Sequence, residues 1–91
     1  MLKDTLFINN KIIEQFDRLK NLVVQKNNDY GNSLHNPINV FQKNKIEGLL
    51  GRLDDKLNRI KTVGINSTTE DTIDDLIGYL IHLNIMKDLQ D

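Results

Sequence analysis

The chain has 91 residues, a formal net charge of −1 and no cysteine. That length suits a single domain, residues 1–91, with a thin core. The near-neutral charge excludes a global field for nucleic acid, and the lack of cysteine excludes a disulfide framework or a thiolate metal site.

Met1-Leu2-Lys3-Asp4 does not open the apolar run of a signal peptide. No stretch approaches the roughly 20 apolar residues of a membrane span. The expectation is therefore a cytoplasmic protein with no membrane partner, and the absence of cysteine suits a reducing compartment.

Taken in chain order, the first helix is clearest from about Lys11 to Gln25, where Ile12, Ile13, Phe16, Leu19 and Val23 recur at helical spacing. Leu6, Phe7 and Ile8 do not continue that stripe, so the N-terminal arm is expected to pack separately. Asn9 or Asn10 would cap the helix start, a short polar side chain accepting from the free amides there.

Asn27-Asn28-Asp29-Tyr30-Gly31-Asn32-Ser33 is dense in turn formers. Asn36-Pro37 reads as the cap and first residue of a short second helix, to about Lys43, burying Ile38, Val40 or Phe41.

A third helix, roughly Ile46–Lys61, carries a seam of Ile46, Leu49, Leu50, Leu53, Leu57 and Ile60. Gly64 is its expected stop. Ser67-Thr68-Thr69-Glu70 matches a capping box for a fourth helix, Thr69–Leu89. Ile73, Leu76, Ile77, Leu80 and Leu83 share one face of that helix and read as its core side. The other face carries Asp71, Asp75, Gly78, His82, Ile85, Met86 and Leu89. A helix apolar on two sides is central in a bundle or buried between subunits, so the expected fold is all-α. It is a small bundle of about four helices that forms a homo-oligomer through its C-terminal helix.

Three groups could carry chemistry. Arg52, Lys56 and Arg59 form a ridge beside the seam of the third helix, and two guanidinium forks with an ammonium suit phosphate oxygens. The same row can instead make structural ion pairs with acids of the next helix, the commoner use of such residues.

Glu70, Asp71, Asp74 and Asp75 cluster at three- and four-residue spacings. Asp71, Asp74 and Asp75 could hold Mg²⁺ with substrate phosphate, or simply complement a helix N-terminus. Tyr30 could stack on a base while Gly31 lets backbone approach a ligand; alternatively Tyr30 covers the end of the core. His35 and His82 are the only histidines. They do not suggest a zinc site, and His82 reads as a buried or interface residue.

These pieces fall in an order that resembles the small phage and bacterial family called nucleotide modification associated domain 1. The matching motifs are Asp29-Tyr30-Gly31, Asp55-Lys56-x-x-Arg59 and Asp75-Leu76-x-x-Tyr79, within about Leu22 to Leu83. The resemblance implies a link to nucleotides and adds Tyr79 to the candidate ligand residues. A looser similarity connects the chain to all-helical MazG-type pyrophosphohydrolases, which hydrolyse nucleoside triphosphates with Mg²⁺. Their Glu-Glu-x-x-Glu motif is missing here; Glu14 and Asp17 are a poor substitute.

The leading expectation is a binder without cofactor that grips a nucleotide through Tyr30, Gly31, Arg52, Lys56, Arg59, Asp71, Asp75 and Tyr79. Such a protein from a phage could sequester a cyclic nucleotide of host immunity. The alternatives are a Mg²⁺-dependent pyrophosphohydrolase and a protein-interaction module with no small ligand. A nucleic-acid binder is least favoured, because the cations are interleaved with acids and few aromatics.

Overall fold

The computed structural model describes residues 2–32, 34–35, 45–65 and 71–89. Among them the chain is all-helical: α1 is Leu2–Asp29, α2 is Lys45–Val63 and α3 is Thr72–Leu89. The expected short helix from Pro37 to Lys43 and the capping box Ser67–Glu70 lie outside the described residues. The chain forms two compact units, Met1–Gly31 and Asn32–Asp91.

The first unit is α1. It starts at Leu2 and not near Lys11, so Asn9 and Asn10 are interior residues and not caps. Asparagine is a weak helix former but not a breaker, and Leu6, Phe7 and Ile8 carry the helix through. Pairs one turn apart line its polar side: Lys11 Nζ lies 3.3 Å from Glu14 Oε2, and Arg18 donates to Gln15 Oε1 at 2.7 Å. Lys11 also sits 5.4 Å over the Phe7 ring.

The end of α1 is a turn that the residue types dictate. The Tyr30 amide donates to the Lys26 carbonyl at 3.0 Å, and Gly31 and Asn32 follow with φ of 58° and 64°. Glycine pays no steric cost in that left-handed region, and asparagine is among the few residues that tolerate it.

In the second unit, α2 and α3 pack as a helical hairpin across the connection 64–71. Gly64 ends α2 as expected, with φ of 82° and its amide donating to the Ile60 carbonyl at 2.9 Å.

The contact face of α2 is narrower than the sequence suggests. Leu49 and Leu53 are buried, and Ile46, Lys56 and Ile60 are half-buried, a 3-4-3-4 series. Leu50 and Leu57, expected in the seam, are 49% and 55% exposed. The repeat that faces a neighbouring helix passes through position 56, so a lysine enters the seam where leucine was expected.

On α3 the two faces are exchanged relative to expectation. Thr72, Asp74, Gly78, His82 and Met86 are buried. The aliphatic side expected to form the core is partly outside: Leu80 is 50% exposed, Ile73 is 39% exposed, and Leu76, Ile77 and Leu83 are half-buried. Gly78, buried on the inner stripe, has no side chain to hold a neighbouring helix away, as a large aliphatic there would.

The core of the second unit is small, with Leu49, Leu53 and Met86 as its buried apolar residues among those described; in the first unit Leu19 is buried. Each is worth about 1.5–3 kcal/mol relative to exposure. No described helix is long and apolar enough to cross a membrane.

Leu49→Ala is expected to cost about 2–5 kcal/mol, because Leu49 is fully enclosed. Leu50→Ala, one residue along and half-exposed, should cost less than about 1 kcal/mol. Urea denaturation of both variants checks the pair, and equal losses would contradict the observed seam.

Candidate functional site

The groups with chemical potential in the second unit meet where the middle of α2 faces the start of α3. Asp71 sits just before α3 and caps it. Its Oδ1 accepts from the Asp74 amide at 3.1 Å, and its carbonyl accepts from the Asp75 amide at 3.1 Å. A carboxylate there satisfies an orphan donor and favours the positive end of the helix. The helix therefore begins at Thr72 with Asp71 as its cap, a correction to the expected start at Thr69.

Asp75, one turn into α3, holds Lys56 from the seam of α2: Lys56 Nζ lies 3.1 Å from Asp75 Oδ2, with side chains 17% and 16% exposed. A charged amine in a helix–helix seam needs a counter-charge, because partial burial strengthens attraction and also penalises an unpaired ion. Asp74 is buried at 7% exposure and has a partner of its own. The Thr72 hydroxyl is buried with no hydrogen-bond partner among the described residues.

The rest of the cationic ridge lies outside. Arg52 and Arg59 are exposed. Positions 52, 56 and 59 fall within one 60° arc of an ideal helix, so the two arginines share a face of α2 with Lys56, one turn to either side. Arg59 is engaged by a partner, and Arg52 has none among the described residues. Tyr79 is half-buried on α3.

Tyr30 and Gly31 belong to the first unit, Tyr30 69% exposed and Gly31 exposed in the left-handed turn. That exposure does not match a tyrosine covering the end of the core.

The acids do not gather as a metal site. Asp71 caps, Asp75 pairs with Lys56, and among the described residues no group of three or more His, Cys, Asp or Glu side chains could hold a metal ion. Glu70 lies outside the described residues.

One polar contact has no signal in the sequence. His35 Nε2 lies 2.9 Å from His82 Nδ1, one ring nitrogen donating and the other accepting, with ring centroids 5.0 Å apart. His82 was expected to be buried, and it is. Its pairing across 47 positions follows only from the fold. Burial, reinforced by the neighbouring His35, pushes the His82 pKa below its ordinary value.

Comparisons with family models, curated proteins and solved structures gave no match.

The lowered His82 pKa makes stability depend on pH. The unfolded chain takes up the proton first, so the contribution is intact above the unfolded value of about 6.5. It falls as pH drops through that value toward the lower folded pKa. Urea midpoints at pH 8 and pH 5.5 should therefore differ by more in the parent than in His82→Gln, which cannot titrate. An undiminished difference in the variant would contradict this assignment.

Proposed function

We propose that the α2 ridge is a phosphate grip and that the chain binds a nucleotide. The observation that carries this reading is Lys56, whose ammonium is fixed at 3.1 Å from Asp75 with exposed arginines one turn to either side. Asp75 holds Lys56 in the seam, and the exposed guanidinium of Arg52 can close on phosphate oxygens as a fork. Asp75 sets the position of the amine.

Tyr79, half-buried on α3, would wall or stack on the base. The motif order Asp-Tyr-Gly, Asp-Lys-x-x-Arg and Asp-Leu-x-x-Tyr supports a nucleotide over a simple anion.

The activity is binding without bond cleavage, and capture of a linear or cyclic nucleotide is its use. The chain works as a homo-oligomer, since the aliphatic side of α3, led by Leu80 and Ile73, is left for a partner subunit. Asp71 and Asp75 are assigned to capping and positioning, so the reading requires no metal.

Calorimetry with linear and cyclic nucleotides at a protein concentration of about 0.1 mM tests the reading, since a Kd near 10 μM gives a measurable isotherm. The expected result is binding by at least one nucleotide. Loss of a charge-assisted contact in Arg52→Ala should weaken that binding roughly tenfold or more. Silence across the panel, or equal affinity in Arg52→Ala, contradicts the proposal.

A further inference from the structure

From Lys3 to Arg18 every residue of α1 is exposed. Burial begins only at Leu19, with Leu22, Val23 and Asn27 half-covered. Yet the exposed part is amphipathic: Leu6, Ile8, Ile12, Ile13 and Phe16 fall within a 160° arc, at 54%, 53%, 48%, 58% and 69% exposure. Most helical stability in a protein comes from packing of an amphipathic face and not from propensity, and Asn9 and Asn10 lower the intrinsic tendency of this helix. A helix of this composition needs its apolar arc covered.

We infer that the N-terminal half of α1 is a homotypic interface, its apolar arc packed on the same arc of a second copy of the chain. Two observations select this occupant.

The first is area. At roughly 150–250 Å² for a large side chain, the five half-exposed residues present about 500 Å² of apolar surface. A symmetric pair then removes about 1,000 Å² in total, the lower bound for a specific interface. An isologous contact supplies a matching arc on both sides.

The second is charge. Lys3, Asp4, Lys11, Glu14, Asp17 and Arg18 are three cations and three anions, so the segment is neutral. Lys11 with Glu14 and Arg18 with Gln15 satisfy one another along the polar side. A neutral segment has no pull on nucleic acid or an anionic bilayer, and it meets its own copy without net repulsion. This arc shares no residue with the proposed phosphate ridge or with the outer face of α3, so its failure leaves the nucleotide reading untouched.

Sedimentation equilibrium at about 0.1 mM, comparing the parent with Ile13→Asp, Phe16→Asp and Leu80→Asp, tests the inference. The parent should have at least twice the 10.5 kDa chain mass. Ile13→Asp and Phe16→Asp should each remove an association step, weakening it by a hundredfold or more, that Leu80→Asp leaves in place.

Amide exchange on the parent guards against variants that simply fail to fold. Protection at residues 3–18 should rise with protein concentration. A monomeric parent, an assembly undone by Leu80→Asp alone, or concentration-independent protection overturns the inference. So does a monomer that floats with phosphatidylcholine–phosphatidylglycerol vesicles.

Discussion

A lysine stands in the seam between two helices, and its charge has to be answered. Lys56 occupies the position that a regular 3-4-3-4 repeat through Ile46, Leu49, Leu53 and Ile60 brings against α3. With both side chains only about one-sixth exposed, Lys56 and Asp75 are close enough to depend on each other. Removing either one would take an opposite charge away from a partly buried ion, which costs more than the pair itself contributes. The pair therefore fixes which face of α3 turns inward. With Asp75 turned toward Lys56, Gly78, His82 and Met86 follow at steps of three and four. The aliphatic face, including Leu80, is then carried to the outside.

That choice explains where sequence reasoning succeeded and where it did not. The helical character of α2 and its stop at Gly64 were readable, because they depend on local propensity and backbone geometry. The turn at Gly31 and Asn32 was equally local. Which side of each helix is inside was not readable by following leucines. Leu50, Leu57 and Leu80 are as apolar as Leu49 and Leu53 yet lie outside. The deciding quantities are pairwise: a lysine needing an acid, a glycine permitting close approach, and a histidine meeting another histidine 47 positions away. α1 was misjudged for a different reason. Its start was sought at a capping residue, while the helix continues through two asparagines to Leu2.

The candidate site was partly legible in the same way. The ridge Arg52, Lys56 and Arg59 follows from spacing alone, and one of its two readings, a pair with an acid of the next helix, is seen at Lys56. Lys56 is tied to an acid of the next helix, as a structural pair would be, and its neighbours remain outside. Asp71 is accounted for as a cap, which is the physical role acids at a helix start most often play. The proposed phosphate grip therefore rests on the exposed Arg52 beside an ammonium that Asp75 holds in place.

The most direct test of which face of α3 is inside is a set of methyl and aromatic nuclear Overhauser contacts on the full chain. With Lys56 against Asp75 in a helical hairpin, a rise of about 1.5 Å per residue brings Leu53 opposite Gly78 and Leu49 opposite His82, so the packing predicts cross-peaks from the Leu53 methyl groups to the Gly78 α-protons and from the Leu49 methyl groups to the His82 ring. Cross-peaks from those leucines to Leu76, Leu80 and Leu83 instead would mean that α3 is rotated. Lys56 would then lose its counter-charge, and the account of the seam would be wrong.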